Sequence, residues 1–430
     1  MIRLLYNLLW PVGLLLFLPR YLVKMFRRGG YRKNFGQRFA SYDVDLRARL
    51  SNQRSIWVHA VSVGEIAIAL KLIRAIEQID GGARFVLTTT TTTAFASAAK
   101  ELSHSTELLY APLDFWPIMR RAFTTIRPLK IVLVEAEVWP NLMAEATARH
   151  VPVALVNARL SPRSERRFGR FRMFVRPIFR LLDFVSVSHQ ADIARWERLG
   201  VETKRIHLVG SVKYDPENTG IDPTVPREVL RHLKIDNRPI LLGGSTHAGE
   251  EELLAQVARA LRNDWPGLVV VIAPRHAERA ASVARALEQM SFRVVLRSRT
   301  DRSDDAPGCL IIDSTGELRN WYAVASVVFI GKSLLARGGQ NPAEAILAGK
   351  PVVFGPHMEN FAAFAEMLVA RRGAIRVDSA EELRAAVANL LRDETSREAV
   401  IRNAREVLAL HTGATERTAR LIVDLAEEEG

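Results

Sequence analysis

Residues 55–73 read SIWVHAVSVGEIAIALKLI: an apolar run, Ser55–Val61, a turn holding Ser62 and Gly64, then Ile66, Ala69, Leu70 and Ile73 along one helix face. A strand feeding an amphipathic helix is half of a βαβ unit, and the same order recurs down the chain. Arg84–Thr90, Ile131–Glu135, Val151–Val156, Phe184–Val187 and Ile206–Val209 continue this first series. A second comprises Pro239–Gly243, Leu268–Ala273, Arg293–Leu296, Leu310–Asp313, Val327–Ile330, Pro351–Phe354 and Ala374–Val377. β-Branched runs alternating with helices specify parallel sheets covered on both faces. The predicted class is therefore α/β, with two Rossmann-like, doubly wound domains at 29–213 and 239–430. Between them, 214–238 is rich in Pro, Asp and Asn and poor in apolar periodicity, and reads as a linker. Two such domains are expected to face a cleft lined by strand carboxyl ends, where ligands of these sheets bind.

The chain has 430 residues, 48% hydrophobic and 25% charged, which suits two globular domains and excludes disorder. Its 60 basic and 47 acidic side chains leave a net charge of +13. Eight of the basic residues, and no acid, lie in residues 1–38, so the rest is near neutral and nucleic-acid binding loses its compositional support. Leu4 to Leu18 carries no charge and is followed by the basic run PRYLVKMFRRGGYRK without a small-residue cleavage site. Residues 1–28 thus read as a membrane anchor, spanning or interfacial, and the basic run after it is expected to hold the domains on the cytoplasmic side of the inner membrane. Cys309 has no partner for a disulfide, and no Cys/His cluster has zinc spacing, so no structural metal is expected.

Several strand-end residues carry candidate chemistry. Gly64 lets the chain turn tightly into a helix, and Glu65 then stands at the mouth of the expected cleft as a base; a capping box with Ser62 is the competing reading. Glu135 ends its strand, and Lys213 follows Gly210. Gly338-Gly339-Gln340-Asn341-Pro342-Ala343-Glu344 opens a helix with Asn341 as N-cap, Pro342 at N1 and Gly349 at C′. Its glycines are expected to let backbone amides approach a phosphate, and Glu344 to bind ribose hydroxyls, unless it only complements the helix dipole. The Gly243-Gly244-Ser245-Thr246-His247-Ala248-Gly249-Glu250 run reads as a second anion-binding turn. Arg275 and His276, after Pro274, suit a nucleotide phosphate or base, or are simply a surface turn.

Two stretches are compositionally unusual. Thr88–Thr93 is six threonines, read as a strand end whose hydroxyls satisfy a turn. Residues 159–180 hold eight arginines, one acid (Glu165), and Phe168, Phe171, Val175 and Phe179 at helical spacing. That face is expected to meet an anionic membrane; a helix packed on the sheet is the alternative.

The motifs V-H-A-V-S-V-G-E, E-A-E-V-W-P-N-L, V-N-A-R-L-S, G-S-V-K-Y-D, G-S-T-H-A-G-E, A-P-R-H-A-E-R and R-G-G-Q-N-P-A-E follow one another in this order. Together they resemble the 3-deoxy-D-manno-octulosonic acid (Kdo) transferases of lipopolysaccharide assembly, over almost the whole chain. The resemblance implies a GT-B glycosyltransferase that moves Kdo from CMP-Kdo to a lipid A precursor, lipid IVA, with inversion and without a catalytic metal or cofactor. It implies Glu65 as base, Glu135 and Lys213 as supports of the transition state, and CMP contacts at Arg275, His276, Thr315, Gly316, Glu317 and Asn341 to Glu344. Partners would be the donor, the lipid acceptor and an anionic membrane surface, with no nucleic acid. The chain departs from the family pattern at Gln340, usually His, and at Lys332, usually Gly. Rival readings are another GT-B transferase or an epimerase, since a fold does not fix a substrate, or a non-catalytic lipid-binding relative.

Overall fold

The computed structural model describes residues 3–4, 6–10, 34–135, 138–160, 162–216, 220–302 and 306–425. The chain forms two units, residues 1–215 with 413–430, and residues 216–412. The first holds strands β1 (Ser55–His59), β2 (Phe85–Thr89), β3 (Thr106–Tyr110), β4 (Pro128–Val134), β5 (Val153–Ala158), β6 (Phe184–Val187) and β7 (Ile206–Leu208). All pair in parallel, in the order β3-β2-β1-β4-β5-β6-β7. Successive residues of a strand point to opposite faces. Trp57, Val86, Ile131 and Leu133 accordingly enter one core, and Ile56, Val58, Phe85 and Val132 the other.

The second unit holds β8 (Ile240–Thr246), β9 (Val269–Pro274), β10 (Val294–Leu296), β11 (Cys309–Ile311), β12 (Val327–Ile330), β13 (Val352–Phe354) and β14 (Ile375–Arg376). They are also parallel, in the order β10-β11-β9-β8-β12-β13-β14. Strand order reverses between β1 and β4 in one sheet and between β8 and β12 in the other. Loops leaving opposite faces part there, which opens a crevice for ligands at the carboxyl ends.

The expected domain bounds need two corrections and the strand series one. Helix Ala414–Val423 belongs to the first unit, where Ala419 and Ile422 are buried beside β1, so the second domain does not run to 430. The supposed linker contains helix Thr224–His232, whose Pro226, Val229 and Leu230 are buried; apolar residues at three- and four-residue spacing were there among the prolines. Strand β3 lay outside the predicted series.

The expected anchor at 1–28 lies largely outside the described residues. Among the described residues no helix is long and apolar enough to cross a membrane. Residues 6–10 are helical, and Trp10 stacks on Phe115 with ring centroids 4.8 Å apart. Arg3 Nε and Asn7 Nδ2 donate to Asn141 Oδ1 at 3.1 and 2.9 Å, and Arg3 pairs with Glu145 at 2.9 Å. Asn141 and Leu142 in turn donate their amides to Asp114, whose carboxyl is pushed up to about 6, chiefly by burial. The start of the chain is thereby bonded to the segment that follows Glu135.

The arginine-rich stretch is two helices, Pro162–Arg170 and Arg172–Phe179. Phe168, Val175 and Phe179 pack into the core, so three of the four residues expected on a membrane face point inward. The exposed apolar side chains are Phe171, Met173 and Phe174, interleaved with exposed Arg166, Arg167, Arg170 and Arg172. Helical spacing identified a continuous stripe but could not tell core from lipid, both being apolar.

Candidate active site

In the first unit the chain leaves β1 through Ala60 and Val61 and enters helix Val63–Ile79. Ser62 is the N-cap, its Oγ accepting from Glu65 N at 3.3 Å. Glu65 reaches back to the Val61 amide, Oε2 to N 2.8 Å, one residue earlier than a capping box would place it. Only 8% of Glu65 is exposed, so this bond fixes the direction of its carboxylate. The same turn is held from below by the threonine run. Thr89 and Thr91 hydroxyls donate to Val61 O at 3.4 and 3.3 Å, and Thr91 also caps the helix Thr92–Ala98. Thr88 donates to Val58 O and takes Trp57 Nε1 at 2.9 Å, so His59 Nδ1, also 2.9 Å from that hydroxyl, is left to be a donor. Burial holds the His59 ring down to about 4, which keeps it neutral.

Glu135 follows β4, across the order reversal from Glu65, and adopts the left-handed conformation at φ 66°. Such strain in a residue other than Gly concentrates at functional sites. Burial and the Glu65 charge raise its carboxyl, against Lys213 and Arg159, which lower it. Lys213, after β7, is pushed down by burial and by Arg159, against the two glutamates. Three residues separated by up to 148 positions in sequence, two carboxylates and an ammonium, are thus within electrostatic reach of one another. Both shifts favour the neutral form, the condition for groups that exchange protons or meet changing charge. Arg159 joins this group, and Asn157, at φ 51°, accepts from Ser211 Oγ at 2.8 Å two residues before Lys213. Both lie in V-N-A-R-L-S, at the end of β5; that position was the signal by which a site role could have been read.

The second unit corrects the anion-binding expectations. Gly243 to Thr246 belong to β8 itself, and the two glycines serve packing: a Cβ on Gly243 would lie 2.4 Å from Leu254 Cδ1, and one on Gly244 2.4 Å from Tyr322 Oη. Thr246 is buried and donates to Glu251. Several of the turn amides are already taken. Glu250, fully buried, accepts from His247 N and Lys332 N on Oε2 at 2.9 and 2.7 Å, and from Ser333 N and Leu334 N on Oε1 at 3.0 and 3.3 Å. Gly338 N donates to Glu359 at 2.7 Å and Gly339 N to Lys332 O at 2.8 Å. A protein carboxylate or carbonyl therefore stands where a phosphate was expected on each of these amides.

The remaining candidates do gather at the carboxyl ends of this sheet. Ser245 is left-handed at φ 54°. Arg275 and His276 are exposed after β9, and the His276 ring lies 6.3 Å from that of His247. Thr315 and Gly316 are exposed after β11, while Glu317 accepts from Trp321 Nε1 at 3.3 Å and pairs with Arg297 at 3.4 Å. The helix begins at Ala343, so Pro342 takes the N-cap place expected of Asn341, which lies one residue further out with its Oδ1 accepting from Ala343 N at 3.1 Å, and Gly349 closes the helix at φ 72°. That helix, Ala343–Leu347, is five residues long, so its dipole is small. Pro342 precedes it, and Glu344, one turn in, lies 3.8 Å from Arg319. Among the described residues no group of three or more His, Cys, Asp or Glu could hold a metal ion.

Residues 33–216 match the family model described as 3-deoxy-D-manno-octulosonic-acid transferase (Kdo transferase). The chain is 32% identical over 393 residues to the 3-deoxy-D-manno-octulosonic acid transferase of Haemophilus influenzae, covering 91% of each. It is 32% identical to the Bordetella pertussis protein of the same name, over 86% of this chain and 87% of that one. In fold it is similar to the glycotransferase of kitacinnamycin, with a TM-score of 0.52, 17% identity, and 87% and 100% of the two chains covered.

Proposed function

This chain belongs to the Kdo transferases of lipopolysaccharide biosynthesis, GT-B glycosyltransferases, and from that premise we propose that it takes Kdo from CMP-Kdo and attaches it, with inversion, to the lipid A precursor lipid IVA at the cytoplasmic face of the inner membrane. The observation that carries the reading is the Glu65, Glu135 and Lys213 group at the point where the first sheet reverses its strand order. An acceptor hydroxyl must lose a proton as it attacks the anomeric carbon, and Glu65, held in direction by the Val61 amide, is the base that takes it. Lys213 supports the negative charge that develops, and Glu135 positions Lys213. Donor recognition falls to the exposed strand-end groups of the second unit: Arg275, His276, Thr315 and Gly316 with Glu344. The CMP phosphate departs with the bonding pair of the broken C–O bond. Incubating the purified protein with CMP-Kdo and a tetraacylated lipid A precursor should yield an acceptor heavier by one or more Kdo residues; an acceptor of unchanged mass, with the donor intact, would sink the proposal.

Two further expectations follow. Glu344, whose carboxylate can accept from both ribose hydroxyls, should matter to the nucleotide, so Glu344→Gln is expected to weaken CMP binding about tenfold, the scale of one charged hydrogen bond. Unchanged affinity by calorimetry would leave it as a partner of Arg319 only. At the membrane, arginines near an anionic leaflet contribute about 1 kcal/mol each, less as salt rises. Replacing Arg166, Arg167, Arg170 and Arg172 by Gln should reduce co-sedimentation with anionic vesicles at low salt and raise KM for the lipid acceptor, leaving KM for CMP-Kdo unmoved. Equal co-sedimentation would make them a solvated helix face.

A further inference from the structure

The Gly338–Gly339 turn has no spare amide of its own to offer an anion, because Glu359 and the Lys332 carbonyl take both. With these two amides taken, side chains are the further source of positive charge at this turn. Arg337 precedes the turn and is exposed, whereas Lys332 lies against it: a Cβ built on Gly338 would lie 2.8 Å from Asn360 Nδ2, 3.3 Å from Lys332 Cε and 3.5 Å from Nζ. The ammonium therefore rests against a buried glycine at φ 124°. Among the described residues no carboxylate comes within 4.0 Å of it.

The backbone of Lys332 is fixed at both ends, its N–H by Glu250 and its carbonyl by Gly339. Glu250 Oε2 also takes His247 N, so the loops after β8 and β12, which flank the order reversal of this sheet, share one carboxylate oxygen. His247 lies within electrostatic reach of Lys332, and its ring faces that of His276. The position is costly for lysine. At φ 58° it is left-handed, where Gly incurs no steric penalty and a residue with a Cβ stores strain. A strained lysine at the carboxyl end of β12, with no carboxylate partner among the described residues, has the placement of a ligand contact.

We infer that Lys332 makes the cationic contact to the donor's phosphate in this chain. The inference rests on CMP-Kdo being the donor, and it adds a specificity-determining residue to that site. A charge on a side chain does here what the amides of Gly338 and Gly339, already bonded, cannot.

Calorimetry with CMP and with cytidine, which lacks the phosphate, tests it on the full-length protein. Lys332→Gln should weaken CMP about tenfold, flatten the salt dependence of CMP binding, and leave cytidine affinity as in the unsubstituted protein. Lys332→Gly should likewise weaken CMP while melting about 2–4 °C higher, because the strain is gone. Stability and affinity then move in opposite directions, which a residue that only supports the fold would not produce. Equal CMP affinity in Lys332→Gln, or equal losses for CMP and cytidine, overturns the inference and leaves the donor reading standing. An unsubstituted protein that binds no CMP overturns both.

Discussion

Glu65→Gln is expected to lose transfer activity by about 10²–10⁴, the scale of a positioned general base, while melting close to the unsubstituted protein. The two readings of this residue separate cleanly because its bond to the fold and its chemistry use different properties. The Val61 amide needs only an acceptor, which the Gln side-chain oxygen supplies in place of Oε2. Proton abstraction needs the basic carboxylate, which Gln lacks. Glu65→Ala removes both, and should cost about 1 kcal/mol of stability in addition to the rate. CMP affinity should hold in both variants, since Glu65 belongs to the first unit and acts on the acceptor. Should Glu65→Gln turn over within a few-fold of normal, Glu65 is a helix cap and the base must be sought elsewhere, with Glu135 the first candidate.

Glu250 is expected to behave in the opposite way. Its carboxylate accepts four backbone N–H groups from two loops, and all four of its lone-pair directions are used. A buried donor left without a partner costs about 1–3 kcal/mol. Glu250→Ala strands four, and with some repair by water the loss should be about 4 kcal/mol, enough to lower the melting temperature by about 8–16 °C on the 2–4 °C per kcal/mol of domains this size. Here Gln is no remedy. One of its ends is an NH₂, which would be driven against two N–H donors, so Glu250→Gln should be nearly as damaging as Ala. CMP binding should fail with it, since the loops that carry His247 and Lys332 are released together. A Glu250→Gln protein that melts within a degree of normal would show that the four amides find other partners.

Much of this was legible in the sequence, for identifiable reasons. A parallel strand buried on both faces is a continuous apolar run, and such runs announced thirteen of the fourteen strands among the described residues. The exception, β3, is an edge strand beginning Thr106-Glu107, with three of its five residues only half-buried, so its sequence carries no such run. Glu65, Glu135 and Lys213 were readable as candidates because each follows a strand, and parallel strands deliver all such residues to one end of the sheet. Which groups already hold one another was not readable. The Gly-rich turns look available on paper, but Glu250 reaches amides 82 to 84 positions away, and Glu359 reaches Gly338 from 21. Helical spacing likewise found Phe168, Val175 and Phe179 without indicating that they face the core.

The return of the last helix has a consequence for how the protein is made. Asp215, where the chain first leaves the first unit, accepts the amides of Gly413 and Thr415, both at 2.8 Å, where it comes back. Lys130 of β4 donates to the carbonyls of Ile422 and Val423, and Ile422 fills the core beside β1. On the ribosome the segment 216–412 has emerged whole before any of this can form, and it can fold as a unit while synthesis continues. The half translated first therefore stays open along one face until helix Ala414–Val423 has emerged, and loss of that helix would injure the amino-terminal unit, the one that carries Glu65, and spare the other.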